Sequence, residues 1–274
     1  MAALLALLSS LTWGTGDFFG GLLARRRSAI PAVLAMQAFG LLSIAIWASV
    51  TGTWAVGSFL LAGLGAGVSG SLGLMAFYRA LATGTMGVVA PIAAMGVAVP
   101  LLYGLVRGDQ PSTVQWLGIL LAVVGVVLAS GPELAGAASP EPLLYASGAA
   151  VMFGIALAFM AAGAGGSATM TVLTMRVVQV AIAIGFWVRW RGFGGITRRD
   201  LPLAAVTGVC DVGANLMYAF AAALGPITIV AVLGSFPPVA TAVLGRVVLQ
   251  ERLLPMQVVG VLLALGGAVA ISAG

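Results

Sequence analysis

QWLGILLAVVGVVLAS, at Gln115–Ser130, and QVVGVLLALGGAVAIS, at Gln257–Ser272, decide how this chain is built. Gln115, Gly118, Leu121, Gly125 and Ser130 return as Gln257, Gly260, Leu263, Gly267 and Ser272, each 142 positions later (257 − 115). Single matches among Ala, Gly, Val and Leu are cheap in an apolar sequence, whereas five at one spacing indicate an internal repeat. Further out, AVLAMQ at Ala32–Gln37 is echoed by TVLTMR at Thr171–Arg176, and Trp13-Gly14 by Phe153-Gly154. Leu81-Ala82-Thr83-Gly84 is echoed by Ala222-Ala223-Leu224-Gly225. The matches keep chain order, so residues 1–131 and 142–274 are read as two copies of one unit. The linker over 132–141 is rich in Pro, Gly and acidic residues.

Each unit is written for lipid. Hydrophobic residues make up 61% of the 274 and charged residues 7%, against about 25% charged in soluble domains. Apolar runs near the roughly 20 residues needed to cross a bilayer follow one another along the chain. They predict ten helices, at 3–23, 30–50, 56–82, 87–106, 113–130, 142–163, 168–188, 201–223, 227–248 and 256–273. The first is read as a true helix and not a signal peptide, because Arg25, Arg26 and Arg27 follow the apolar stretch instead of preceding it and Asp17 lies inside it. The fold class is thus all-α integral membrane. Five helices per unit is an odd number, so the second copy enters the membrane from the opposite side. That gives an inverted-topology repeat, in which a binding site is expected at the repeat interface near the midplane.

The formal charge is +5 and every basic residue is Arg. The arginines sit in short loops between apolar runs, which argues against a nucleic-acid partner. The loops after odd-numbered helices hold Arg25, Arg26, Arg27, Arg79, Arg189, Arg191, Arg198, Arg199, Arg246 and Arg252, and the other side holds Arg107. The positive-inside rule places the arginine-rich loops in the cytoplasm and both termini outside. The single cysteine, Cys210, excludes an intrachain disulfide. There is no histidine, which removes the commonest metal ligand and general base. No phosphate-loop motif is present. Neither a metal nor another cofactor is expected.

AVLGSFPPVATAVLGRVVLQERLLPMQVVGVLLALGGAVAIS, at Ala231–Ser272, resembles the end of an EamA-type repeat: a proline-containing helix, a Gly-Glu-Arg-Leu-like turn, and a last helix with Gln-x-x-Gly. Residues 90–130 look like a weaker first copy, and Trp13-Gly14 fits as well. Gln250 stands where the family usually has Gly, and Asp109 stands in the first copy where Glu is expected. The resemblance implies a ten-helix member of the drug/metabolite transporter superfamily. It also implies cytoplasmic termini, against the arginine count. Substrates in that superfamily include amino acids, nucleotide-sugars, sugars, drugs and other metabolites.

Ionisable groups inside a bilayer are costly and default to functional hypotheses. Arg176 and Asp211 lie near mid-depth on the seventh and eighth helices. They read either as a structural ion pair or as a site holding an anionic group, and a cationic group or proton. Gln37 is the repeat counterpart of Arg176, and Gly70 lies near that of Asp211. Asp17 and Arg79 are expected toward one membrane face, as a structural or gating pair; a proton-coupling Asp17 or a snorkelling Arg79 are the alternatives. Trp13 shares a helix face with Asp17. Trp13, Phe18, Tyr78, Phe153, Asn215, Tyr218 and Ser235 are candidates to line a cavity, with packing as the alternative for the aromatics. Pro91, Pro100, Pro237 and Pro238 are expected to kink the fourth and ninth helices, and the freed carbonyls could bind a ligand. Gly63/Gly67, Gly118/Ala122 and Gly260/Ala264 permit close helix approach, within the monomer or at a dimer seam. Glu251 is expected to order the turn before the last helix.

These readings converge on a secondary transporter, most simply an exporter, of a small organic metabolite such as an amino acid, in a bacterial plasma membrane. Its partners are the substrate, the lipid bilayer, and a proton or counter-substrate; it is a monomer or homodimer. A non-transporting scaffold, receptor subunit or lipid scramblase is the alternative. An intramembrane enzyme is disfavoured by the lack of histidine and of a catalytic carboxylate dyad.

Overall fold

A computed structural model of the chain describes residues 1–24, 29–83, 89, 92–129, 140–190, 197–248 and 254–274. Arg25, Arg26, Arg27, Pro91, the linker over 132–139, Arg191, Gln250, Glu251 and Arg252 lie outside the described residues.

Among the described residues every regular element is a helix. Helix α1 spans Ala2–Ala24, α2 Ala29–Thr51 and α3 Phe59–Thr83. Helix α4 is a short apolar run, Ile92–Val106, tightened into a 3₁₀ turn at Met95–Val97, and α5 spans Thr113–Ala129. One helical run, Pro140–Trp190, changes direction at Ser167 (φ −164°, ψ 106°). Its arms, 140–166 and 168–190, are α6 and α7. Helix α8 spans Leu201–Leu224, α9 consists of Ile227–Gly234 and Pro237–Val248, and α10 spans Pro255–Ala273. Seven described runs are long and apolar enough to cross a membrane, and one of them, Pro140–Arg189, has 50 residues, more than twice the length required.

The sequence predicts a gap over 164–167, and the structure compresses it to Ser167. Its hydroxyl accepts the Met170 N–H at 3.2 Å, and its carbonyl accepts the Thr171 hydroxyl at 2.7 Å. That is the chemistry of an N-cap, so α7 begins afresh without a loop.

Small residues fill much of the interior, beside buried branched ones such as Val172, Val232 and Leu233, and many other branched apolar side chains face outward. Ala66, Ala122, Ala219 and Ala264 are fully buried, whereas Leu61, Leu120, Leu262 and Val269 are exposed. With lipid as solvent, an outward Leu costs nothing, and helix association rests on close backbone approach. A Cβ on Gly118 would lie 2.8 Å from the Gly267 carbonyl oxygen, and one on Gly125 2.7 Å from that of Gly260. The small-residue stripes on α5 and α10 therefore pack on each other within the chain. Gly63 and Gly67 do the same against Thr171 and Met175.

These contacts also give the polarity of each pair. Helices α5 and α10 are antiparallel, since Gly118 meets Gly267 and Gly125 meets Gly260. Helices α1 and α8 are antiparallel, with Ser9 hydrogen-bonded to the Ala214 carbonyl and Gly16 against Thr207. So are α3 and α6, where Gly65 meets Phe159 and Gly73 meets Phe153. Helices α3 and α7 run parallel, as do α2 and α8, where Gly208 approaches Met36 and Gly40 approaches Val212. Gly14 of α1 abuts Pro237 and Ala240 of α9, just as Gly154 of α6 abuts Gly96 and Val99 of α4. The Gln-x-x-G motif caps: the Gln115 and Gln257 side chains each accept a backbone N–H three residues upstream, at 2.9 Å.

Candidate functional site

Arg176 of α7 is 1% exposed, enclosed where α2, α7 and α8 converge. Room for it comes from Gly40, where a Cβ would lie 3.4 Å from Arg176 Nε. A buried guanidinium needs acceptors, and two other helices supply them. Arg176 Nη1 donates to Gln37 Oε1 of α2, and Nη2 donates to Asp211 Oδ2 of α8 at 2.5 Å. Asp211 is held in turn: Oδ1 accepts Trp13 Nε1 and Asn215 Nδ2, each at 3.2 Å. Asn215 also donates to the Asp211 carbonyl at 2.6 Å. One network therefore ties α1, α2, α7 and α8.

Beside it lies a cavity of about 560 Å³, bounded by α2, α3 and α7. Gln37, Ser71 and Gln179 line its inner part, and Tyr78, Arg79 and Phe186 the part near the ends of α3 and α7; the rest of its wall is apolar. Asp17 is exposed, one turn beyond Trp13, within electrostatic reach of Asp211 and Tyr78.

Several expectations are corrected. Arg79 pairs with Glu141 at the start of α6 (2.9 Å) and not with Asp17, and its guanidinium lies 5.7 Å from the Tyr145 ring centre. The close packing of α3 on α6 decides this partner. Tyr218 is wholly buried, tilted against Trp13 (ring centres 5.8 Å apart) and packed on Gly234, so it faces no cavity. Asn215 bonds Asp211 on its own helix, at both the carboxylate and the carbonyl, in place of an interhelical partner. Phe153 packs on Phe77 and Gly73, and Phe18 is buried against Phe19. The Ser235 hydroxyl returns to the Val232 carbonyl at 2.7 Å.

The prolines shape helices. Pro100 is buried in α4, just after its 3₁₀ turn. Pro237 opens the second piece of α9 and frees the Leu233 carbonyl. No ligand is needed there: Ser10 of α1 donates its hydroxyl to that carbonyl and accepts the Phe236 N–H at 3.4 Å. Asp109 accepts the Thr228 N–H at 2.8 Å, placing a carboxylate at the N-terminus of α9.

Sequence reasoning missed Gln179, Ser71, Ser10 and Glu141. Gln179 was within reach, three residues after Arg176 on the same helical face. Ser10 and Glu141 gave no signal, since their partners lie on remote elements.

The family model of EamA-like transporters matches residues 1–131 and again 141–273. This chain belongs to the EamA-like transporter family. It is accordingly a multi-pass membrane protein of the drug/metabolite transporter type, a class of transporters and not of enzymes. No curated protein matches it. Among solved structures, a crystal structure described only as that of a protein superimposes with a TM-score of 0.83, at 17% identity, over 99% of this chain and 96% of the other. At that identity the likeness speaks for the fold alone. The EamA-like chain thus carries its buried Arg176 network beside a largely apolar cavity.

Proposed function

We propose that this chain is a secondary transporter of a small organic metabolite, working by alternating access between two inverted five-helix halves, 1–131 and 142–274, joined over 132–141. The observation that carries the reading is the cavity beside the Arg176–Gln37–Asp211 network. Its walls come from both halves, α2 and α3 of the first and α7 of the second. A site at the repeat interface is what rocking halves require, and 560 Å³ is within the usual range for small-molecule sites. The antiparallel packing of α5 on α10, helices that are repeat counterparts, supports inversion: counterparts that run oppositely cross the membrane in opposite senses.

The sequence carries no ATP-binding motif, so the driving force is a gradient or exchange, with a proton or counter-substrate as coupling partner. An amino acid or another moderately hydrophobic metabolite fits the apolar wall, and the direction proposed is export across a bacterial cytoplasmic membrane. Flux in proteoliposomes tests this. Saturable uptake is expected for the wild type and at least a tenfold loss for Asp211→Asn and Arg176→Gln. Normal flux by both folded variants would remove the network from transport, and no saturable flux in the wild type would favour a scaffold or scramblase.

A further inference from the structure

We infer that Gln179 and Gln37 form the head-group subsite of the cavity, built for a small amphipathic molecule whose head carries a hydrogen-bond donor beside an acceptor. This rests on the transporter reading for its biological use, and on geometry for the binding itself.

The orientation of Gln37 follows from its partner. A guanidinium has five donors and no acceptor, so Gln37 must offer Arg176 its Oε1. Its amide NH₂ is then left over at the cavity wall, with no partner among the described residues. Gln179 supplies the complementary group. It lines the same cavity, and its Oε1 is buried without a hydrogen-bond donor among the described residues. A buried acceptor left unmade is costly, and native proteins rarely tolerate one without a reason. Gly70 stands opposite: a Cβ there would come 2.9 Å from Gln179 Nε2, so glycine leaves the amide its place.

The accessible charges limit the ligand further. Arg176 is sealed behind Gln37 and Asp211 at 1% exposure, and Arg79 is engaged by Glu141. The buried guanidinium is thus closed to an anion at the inner end of the cavity, whereas Arg79, 57% exposed and holding Glu141 through Nη2, lies toward the ends of α3 and α7. A head seated between Gln37 and Gln179 therefore meets two amides and no free charge, and the subsite favours a head that brings a hydrogen-bond donor over a bare carboxylate. Leu74, Met75, Ile182 and Phe186 offer an apolar wall for the rest of the molecule.

The test uses the full chain in lipid nanodiscs, with ligand-induced thermal stabilisation as the readout. The probes are L-leucinamide, which has donor and acceptor on a branched apolar body, and 4-methylpentanoate, which keeps the body but has an anionic head without donors. Wild type is expected to bind L-leucinamide at least tenfold more tightly than 4-methylpentanoate. Gln179→Leu is expected to abolish that preference, while Gln179→Glu, which keeps an acceptor, retains it. Equal affinity of Gln179→Leu and wild type for L-leucinamide would overturn the subsite, as would a wild type that ignores L-leucinamide or prefers the carboxylate. Flux separates the two readings. Gln179-dependent binding without transport removes the transporter and leaves the subsite; saturable L-leucinamide flux with an unchanged KM in Gln179→Leu does the reverse.

Discussion

Arg176 shows what a single residue does when its solvent is removed. Its two terminal nitrogens donate to Gln37 and Asp211, and Asp211 is itself fastened by Trp13 and Asn215. Breaking such a pair from one side leaves an unpaired buried charge, at a cost of roughly 3–5 kcal/mol. Asp211→Asn is therefore expected to lower stability by about 3 kcal/mol in detergent unfolding. The double variant Arg176→Met, Asp211→Leu should recover much of that loss while remaining inactive in flux. A double variant no more stable than Asp211→Asn would show that the network is not an isolated charge pair. Arg176, Asp211 and Gln37 were legible as candidates because polar groups within apolar helices are rare. The partner of Arg79 was not legible: Asp17 shares its depth, but shared depth does not say which helices touch, and Glu141 takes the guanidinium.

At the scale of elements, glycines mark where backbones meet. A Cβ on Gly125 would press on the Gly260 carbonyl at 2.7 Å, and one on Gly14 on the Pro237 carbonyl at 2.7 Å. Nothing lies within 4 Å of a Cβ on Gly148 or Gly266. Gly125→Ala and Gly14→Ala are expected to destabilise by about 1–3 kcal/mol through overpacking. Gly148→Ala and Gly266→Ala should be neutral or stabilising by up to about 1 kcal/mol, since Ala is the better helix former. Thermal unfolding of the four variants checks this, and a uniform response would contradict the packing. The break in α9 belongs to the same scale. Ser10→Ala removes the hydroxyl shared by the Leu233 carbonyl and Phe236 N–H and is expected to cost about 1–3 kcal/mol. A change too small to measure in the same unfolding assay would mean that the break is satisfied in another way.

At the scale of the molecule, the decisive quantity is which loops share a face. Replacing Cys210, the single cysteine, leaves a clean background for single-cysteine labelling. In inverted halves, Arg26→Cys and Arg198→Cys label from one side and Val56→Cys from the other, although the loops holding residues 56 and 198 are repeat counterparts. A membrane-impermeant thiol reagent separates the cases; labelling of Val56→Cys and Arg198→Cys from the same side would refute inversion. External labelling at position 26 would overturn the sidedness read from the arginines and favour the cytoplasmic termini implied by the family. Ala183→Cys, in the cavity wall, should react from the same side as Arg26→Cys and be protected by bound substrate.

Solvent, duplication and family can all be read from the chain alone, because each is written in runs and spacings that need no neighbour to be read. The chain alone also points to Arg176, Asp211 and Gln37, since a polar group in an apolar helix must find a partner. Which partner it meets depends on how the helices pack. Trp13 meets Asp211 across 198 residues of chain and Ser10 meets Leu233 across 223, and Arg79 is claimed by Glu141 because α3 packs on α6. Tyr218, Asn215 and Gln179 all sit on apolar helices with similar neighbours in sequence, yet the first is sealed in the core, the second bonds Asp211, and the third faces the cavity. The physical reason is that these helices are apolar all round: without an amphipathic stripe, rotation about each axis is left to the fit of glycines against neighbouring backbones, and that fit exists only once the helices are packed.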